Sequence, residues 1–373
     1  MATKKYLYAT TALIGAGVAT SGAQAQGIDV NVGGFTNYYV GLGSNDTADD
    51  SNQILHDAEL TFSGSVTLDN GVEVGVNLNK EFNGGQDPVY TYFKGSFGTI
   101  QLGTQNSAAY SHSYSAGPLW SGPLVPINSG WQSGFADVNN NVSNFYSVGG
   151  STHLDFADEG NRIAYYSPNV GGFQLGASWS PSLAANNFSS GFPTGGAQID
   201  DNSSTLHDGL SLSASFDRDF SNVGVSAYAG LNYAHAGGSA AAAGAEDPIA
   251  YMTGVRVNSM GFGAGYALAV QDNPDNLTQG SVTSASGVSH GFDVTYSTGP
   301  IQVQGEAMLS RVDADAGSAG QSVDQNTFKV GGSYTLGPGV SLGSAVIYNE
   351  EESSGAGSGL DAWSAVLGTT VSF

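Results

Sequence analysis

The chain has 373 residues, no cysteine, and 32 acidic against nine basic residues, which gives a net charge of −23. These values exclude disulfide scaffolds, thiol catalysis and cysteine-based zinc sites, and they make nucleic acid a poor partner. Charged residues form only 11% of the chain, about half the share usual in a soluble domain, so something other than water is expected to cover much of the surface.

The first 25 residues are predicted to be a cleaved secretory signal peptide. Lys4 and Lys5 precede an apolar stretch, and the Ala-Gln-Ala sequence at 23–25 has the pattern of a cleavage site. The mature chain, 26–373, then keeps seven basic and 32 acidic residues, a net charge of −25. Its apolar runs all fall short of the ~18 residues that a membrane helix needs.

Alternation of apolar and polar residues dominates the mature chain and is typical of strands with one apolar face. In "NQILHDAELTFSGSVTLDNG", Leu60 and Phe62 share one parity while Asp57 and Glu59 share the other, and an Asn-Gly turn leads into the next strand. The pattern predicts sixteen strands, in chain order 28–42, 54–68, 72–78, 89–97, 100–102, 163–165, 173–179, 210–216, 223–233, 249–257, 262–270, 292–296, 301–309, 328–336, 340–348 and 363–373.

The connections between these strands alternate between short turns and long polar loops. An even number of strands with all long loops on one rim predicts an all-β fold, a 16-stranded antiparallel transmembrane β-barrel with short periplasmic turns and long outer loops. Aromatic residues near the strand ends, such as Trp179 and Trp363, fit the two membrane interfaces. A soluble β-sandwich is the alternative, but its long loops need not share one side.

Sixteen strands enclose an interior too wide for side chains to fill, so the lumen is expected to hold water. The inward parity is accordingly polar, and it includes Asp57, Glu59, Glu73, Lys94 and Arg162. Arg256 and Lys329 also point inward, and each is expected to pair with a neighbouring carboxylate.

Four stretches resemble one known family in their order and spacing: "DAELTFSGSVTLDNGVEVGV", "YFKGSFGTIQLG", "NRIAYYSPNVGGFQLGAS" and the terminal "VSF". Over the whole mature chain the sequence is similar to Gram-negative general-diffusion outer-membrane porins, especially the α-proteobacterial type. The resemblance implies a homotrimer of barrels in the outer membrane, each barrel with its own pore and with the third long loop folded into the lumen. It also implies that the terminal Phe373 is the signal read by the β-barrel assembly machinery.

The loop at 104–160 is the longest of the chain and is the candidate constriction loop, since long structureless loops are usually functional. A surface loop over the mouth of the barrel is the alternative. By the resemblance, acidic residues of this loop should face basic residues of the wall and set up a transverse field. The loop residues concerned are Asp137, Asp155, Asp158 and Glu159, and the wall residues are Lys94 and Arg162.

The wall has fewer basic residues than the family pattern leads one to expect. The second strand carries Asp57 and Glu59 and the third carries Glu73, so the lumen should be acidic. We therefore predict a passive diffusion channel for small hydrophilic solutes and ions that prefers cations. A solute-selective porin with a dedicated binding track is the alternative, and a structural or adhesive barrel without conductance is a third.

Two further expectations concern ligands and catalysis. Acidic runs in the outer loops, such as Glu350–Glu352, either bind Ca²⁺ and bridge to lipopolysaccharide or form a solvated rim; no cofactor is expected. An outer-membrane hydrolase would need a nucleophile beside a histidine, and the six histidines lie near no G-x-S-x-G motif. The chain is therefore not expected to be an enzyme.

Overall fold

The structure is a computed structural model. It describes residues 27–45, 48–82, 88–116, 152–156, 160–183, 206–237, 246–272, 278–279, 282–283, 285–314, 321–354 and 360–373. The predicted signal peptide and the loop residues Asp137, Asp158 and Glu159 lie outside these ranges.

Eighteen strands and one helix lie in this described part of the chain. The strands are β1 Asp29–Asn45, β2 Ala48–Thr67, β3 Glu73–Glu81, β4 Val89–Gly95, β5 Gly98–Thr104, β6 Asn161–Tyr166, β7 Phe173–Ser182, β8 Leu206–Phe220, β9 Val223–Ala236, β10 Ile249–Ser259, β11 Phe262–Asp272, β12 Thr278–Gln279, β13 Val282–Thr283, β14 Ala285–Thr298, β15 Ile301–Ala314, β16 Gln321–Gly337, β17 Val340–Ser353 and β18 Leu360–Ser372. The helix, α1, spans Ala108–Ala116.

Sixteen of the strands in the described residues form one closed antiparallel barrel, which confirms the predicted fold. Each strand pairs with its neighbour along the chain, and β1 closes the barrel by pairing with β18, from Phe35 opposite Ser372 to Asn45 opposite Ala362. The two short strands β12 and β13 form a separate hairpin. Closure leaves no open edge along the paired stretch, where unpaired backbone groups would otherwise be costly in lipid.

The two faces of the barrel wall follow the predicted parity. Apolar side chains such as Val330 and Leu367 point outward and are 70% and 63% exposed on the isolated barrel. Inward positions on the same strands are mostly polar or small, as at Lys329 and Ser364, which are buried, whereas Val366 of β18 packs in a small apolar cluster with Ile347. An apolar outer face and a polar inner face suit a barrel with lipid outside. Among the described residues, no helix has the length and apolar character to cross a membrane.

Most strands are longer at their outer ends than the sequence pattern predicts. Strand β14 was expected over 292–296 and runs over Ala285–Thr298, and it pairs with β15 as far as Ala314. Above the apolar band both faces of a strand are polar, so the alternation disappears although backbone pairing continues. Helix α1 was not predicted either.

Candidate functional site

Helix α1 lies inside the barrel, directly on the inner face of β7, β8 and β9. Gly176, Ser213 and Gly230 are consecutive cross-strand partners and form a row of small residues on this face. A Cβ added at Gly230 would lie 2.6 Å from the Cβ of Ala109, and one at Gly176 would lie 3.2 Å from the Cβ of Ala108. The loop between β5 and β6 therefore folds into the lumen, as predicted, in its described residues.

The first amides of α1 are capped by the barrel wall. The Ala108 N–H donates to Ser178 Oγ at 3.1 Å and the Ala109 N–H donates to Ser211 Oγ at 2.9 Å. Ser178 of β7 and Ser211 of β8 are directly opposite each other in the sheet. Because the first four amides of a helix have no partner within the helix, these two serines satisfy donors that would otherwise be buried without an acceptor.

A buried ion pair links the returning end of the loop to the barrel wall, and its carboxylate also reaches the start of the loop. Arg162 Nη1 lies 3.1 Å from Asp155 Oδ2 and 3.3 Å from Oδ1, and the two side chains are only 3% and 6% exposed. Asp155 Oδ2 also accepts the N–H of Ser107, the residue before α1, at 2.6 Å. The structure thus places the predicted wall cation and the predicted loop anion in direct contact, at the N-terminus of the helix.

The returning segment of the loop is held by polar and apolar contacts. Asn232 of β9 donates its side-chain N–H to the carbonyl of Leu154 at 2.7 Å, and the N–H of Leu154 points at Met252 Sδ at 2.8 Å. Leu154 and Phe156 are 1% and 2% exposed and belong to a hydrophobic cluster that includes Tyr228 and Met252. The loop is therefore packed onto the wall at both of its described ends.

Two histidines of the loop are buried in neutral form. Ser113 Oγ donates its only proton to the carbonyl of Tyr110. In its 2.7 Å contact with His153, Ser113 Oγ is therefore the acceptor and His153 Nδ1–H is the donor. Burial lowers the pKa of His153 to about 3. Burial also lowers the pKa of His112, which a contact of 3.3 Å with Gln174 Oε1 partly offsets. Neither imidazole adds a positive charge to the lumen at neutral pH.

Lys94, the other predicted wall cation, is not brought to the described part of the loop. It lies one residue before the end of β4, at the short-turn rim, directly opposite Glu73 of β3. The Glu73 carboxylate accepts a hydrogen bond of 2.6 Å from the hydroxyl of Tyr92 on the same face. Lys94 and Glu73 therefore share a site away from α1.

The predicted acidic wall residues lie together on β2 and β3. Asp57 is opposite Asn37, and Glu59 is directly opposite Glu81, an inward carboxylate that the sequence analysis did not single out. Thr61 Oγ1 donates to Glu59 Oε1 at 3.1 Å. Two carboxylates at one cross-strand pair make this part of the lumen strongly negative.

Arg256 and Lys329 pair with carboxylates, as expected. Arg256 of β10 reaches across β11 to Asp293 and donates to Thr295 Oγ1 at 2.7 Å. Lys329 Nζ lies 2.8 Å from Glu306, which is the cross-strand neighbour of Asp293. All four charged side chains are at most 9% exposed.

Sequence reasoning missed the wall residues that receive the loop, which are Gly176, Ser178, Ser211, Gly230 and Asn232. One signal could have identified them: inward positions on β7, on β9 and on β8 from His207 to Ser215 lack carboxylates, whereas β2 carries Asp57 and Glu59 and β3 carries Glu73 and Glu81. Small inward residues leave room for a packed element.

The described residues contain no group of three or more His, Asp or Glu side chains arranged to hold a metal ion. Several acidic runs of the outer loops, such as Asp200 with Asp201, lie outside the ranges that the structure describes. Calcium binding at those loops stays a prediction.

Comparisons with known proteins agree with this geometry. A family model described as Gram-negative porin matches residues 9–355, whereas no curated protein matches the sequence. The fold is similar to an anion-selective porin from Comamonas acidovorans, with a TM-score of 0.65 at 15% identity over 93% of this chain and 100% of that chain. It is also similar to Salmonella typhi OmpF in complex with daunomycin, with a TM-score of 0.64 at 14% identity over 93% and 98%.

A third similar structure is the trimer form of in-vitro folded OmpT from Vibrio cholerae, with a TM-score of 0.57 at 12% identity over 92% of this chain and 99% of that chain. At such identities the likeness concerns the fold alone. The α-proteobacterial type stays a prediction.

Proposed function

The chain belongs to the Gram-negative porin family and forms a passive, multi-pass diffusion channel of the outer membrane, and we propose that this channel carries small hydrophilic solutes and ions with a preference for cations. The observation that carries the preference is how the charges of the lumen are paired.

In the part of the chain that the structure describes, four basic side chains face the lumen, and each has a carboxylate beside it. Arg162, Arg256 and Lys329 form ion pairs, and Lys94 lies opposite Glu73. A basic residue beside a carboxylate contributes little net positive potential to passing ions.

The acidic wall of β2 and β3 supports the same preference. Asp57, Glu59 and Glu81 lie on the inner face of adjacent strands, and Glu59 faces Glu81 directly. Rings and clusters of carboxylates favour cations because they raise the local cation concentration and repel anions. The anion selectivity of the Comamonas porin is a property of that protein, whose sequence is only 15% identical to this one.

A solute-selective channel is the second candidate, and inward-facing tyrosines favour it. Tyr90 and Tyr92 of β4 share the inner face, and Tyr166 of β6 packs against His112 at a ring-centroid distance of 5.4 Å. Sugar rings stack on aromatic faces, so these tyrosines could form a binding track. Saturable block of the ion current by an oligosaccharide, lost in Tyr92→Ala, would support this candidate over general diffusion.

Further partners are proposed from the resemblance. A homotrimer is consistent with the trimer form of OmpT; migration of the unheated protein on a gel, compared with chemically cross-linked samples, tests it. Outer-membrane lipid and lipopolysaccharide would surround the apolar outer face, and the assembly machinery would read Phe373.

The test of ion preference is the reversal potential of the purified channel in a planar bilayer under a KCl gradient. We expect a potential with the sign of K⁺ selectivity that becomes smaller at high ionic strength, because salt screens the wall charges. Anion preference would contradict the proposal, and the absence of any conductance would favour the structural barrel instead.

A further inference from the structure

We propose that Arg162 and Asp155 form a latch that positions α1 against the barrel wall, so that they set the width of the pore through the loop and do not act directly on permeating ions. The proposal rests on the proposed diffusion channel, because a latch on the constriction loop matters only if solutes pass it. It gives Arg162 a positioning role in place of the wall-cation role that the sequence suggested.

The contacts of the pair are directed at the loop. The guanidinium bonds both oxygens of Asp155 at 3.1 to 3.4 Å, and its Nε donates to the carbonyl of Gly160 at 3.3 Å. The same carbonyl accepts the N–H of Gln105 at 3.1 Å. Arg162 at the end of the loop and Gln105 at its start thus share the Gly160 carbonyl as acceptor, and the Arg162 side chain is 3% exposed.

Asp155 carries this connection to the helix. Its Oδ2 accepts the N–H of Ser107 at 2.6 Å, and Ser107 Oγ in turn accepts the N–H of Tyr110 in the first turn of α1 at 3.3 Å. A carboxylate at a helix N-terminus is also favoured by the helix dipole. One carboxylate thus links the wall arginine to the end of α1 that docks on Ser178 and Ser211.

The energetics make the pair an effective latch. Removal of one partner from a buried ion pair leaves an uncompensated charge and is strongly destabilising, whereas surface pairs contribute little. Here the remaining carboxylate would lie in a packed interface between loop and wall. The least costly response is release of the loop, because the barrel strands are held by their own backbone pairing.

A direct role and a latch role predict different changes in the channel when Arg162 and Asp155 are substituted. If Arg162 and Asp155 acted on ions through their charges, Arg162→Ala would shift selectivity toward cations and Asp155→Asn would shift it toward anions. If they form a latch, both substitutions release α1 and change the channel in the same direction, toward higher conductance and larger current noise. Arg162→Lys keeps the charge but loses the bidentate geometry, so it should be intermediate.

The absence of cysteine from the chain allows a direct test of docking. Ser113→Cys places a nearly isosteric thiol at a position that is 0% exposed inside the docked loop. We would measure its reaction with a charged methanethiosulfonate reagent in folded barrels, alone and combined with Arg162→Ala, Asp155→Asn or Arg162→Lys. Ser96→Cys in the exposed β4–β5 turn is the labelling control, and Arg218→Ala on the outer face is the matched arginine control.

The latch predicts slow labelling of Ser113→Cys alone and with Arg218→Ala, and labelling at least about tenfold faster with Arg162→Ala or Asp155→Asn, given the cost of breaking a buried pair. The proposal is overturned if Ser113→Cys alone is labelled fast, or if neither Arg162→Ala nor Asp155→Asn changes its labelling rate. Either result counts whatever the ion selectivity of the channel. If Arg162→Ala fails to give heat-modifiable barrels, Asp155→Asn decides. Because labelling needs no ion current, a protein that does not conduct would contradict the proposed function without deciding the latch.

Discussion

Phe373 and Gly34 exchange two backbone hydrogen bonds, from Phe373 N–H to Gly34 O at 3.0 Å and from Gly34 N–H to Phe373 O at 3.1 Å. The last residue of the chain is thereby part of the seam between β18 and β1. A Cβ added at Gly34 would contact the carbonyl of Glu59 and lie 3.1 Å from Cζ of the Phe373 ring. The ring therefore packs over a position where only glycine fits.

This relationship predicts the behaviour of seam variants. Gly34→Val or deletion of Phe373 should lower the yield of heat-modifiable barrels several-fold, because strand closure loses contacts at its end. The barrels that do form should keep their single-channel conductance, since α1, the described part of the loop that enters the lumen, packs on β6 to β10 on another part of the wall. Gly64→Ala is the control, because its added Cβ would lie 3.7 Å from the nearest atom, the carbonyl of Asp29. Normal yield without Phe373 would refute its role in assembly.

A glycine on β11 makes room for the Arg256–Asp293 ion pair. A Cβ at Gly263 would lie 2.5 Å from Arg256 Nη2 and from Thr295 Oγ1. Gly263→Ala should therefore displace the guanidinium and lower the free energy of unfolding by about 1–3 kcal/mol, the usual cost of overpacking. Arg256→Ala should cost more, about 3–5 kcal/mol, because Asp293 stays buried.

Denaturant unfolding of refolded barrels measures both effects. Gly305→Ala on β15 is the matched control, since its added Cβ would be 3.7 Å from the nearest atom, and its effect should stay within roughly 0.5 kcal/mol. Equal unfolding midpoints for Gly263→Ala and Gly305→Ala would show that the Arg256–Asp293 ion pair does not need the space above Gly263.

Docking of the constriction loop should weaken in acid. Burial lowers the pKa of His153 from 6.5 to about 3, so between these values only the undocked imidazole binds a proton. The free energy that favours docking is therefore fully present above pH 6.5, and it falls by up to ~1.4 kcal/mol for each pH unit below that value. Current noise and conductance of single channels should rise between pH 6.5 and 4.5.

The histidine dependence separates this effect from titration of the wall carboxylates. His153→Asn should remove most of the change, and a second substitution, His112→Gln, should remove the remainder, because burial lowers the pKa of His112 as well. His56→Gln, on the outer face of β2, is the control. An acid response that survives in the double variant would contradict the assignment.

The acidic pair on β2 and β3 should determine cation preference. Glu59→Gln with Glu81→Gln removes two charges at one cross-strand position while it keeps side-chain size, so the ratio of K⁺ to Cl⁻ permeability should fall several-fold at low salt. The measurement is the reversal potential in a KCl gradient. Glu350→Gln, at the outer end of β17, should change the ratio little, and an unaltered ratio in the double variant would place the selectivity elsewhere.

Much of the fold could be predicted because one physical rule applies along the whole chain. Residues such as Val330 and Lys329 alternate between lipid and lumen, so parity reveals the strands, their number and the inward face. The same rule placed Arg162 and Asp57 correctly on the inner wall. It underestimated the lengths of β14 and β16, because strand segments above the membrane carry polar residues on both faces.

The candidate site was less predictable, since its contacts join residues that are distant in sequence. Asp155 lies in a loop without periodicity, and its two partners, Ser107 and Arg162, belong to opposite ends of that loop. Ser178 and Ser211 became recognisable as helix caps only when α1 was seen against them.

By itself, the sequence determined a sixteen-stranded barrel with a polar lumen, because alternation records which solvent each side chain meets. Only the tertiary structure decided which charges of the lumen neutralise one another. Whether Arg162 acts on passing ions or holds Asp155 depends on the 3.1 Å distance between its guanidinium and the Asp155 carboxylate. Sequence parity predicts which face of the wall a side chain occupies, but it does not predict the distance between two side chains. Closure of the chain brings these groups together, and the electrostatics of the channel follow from that packing.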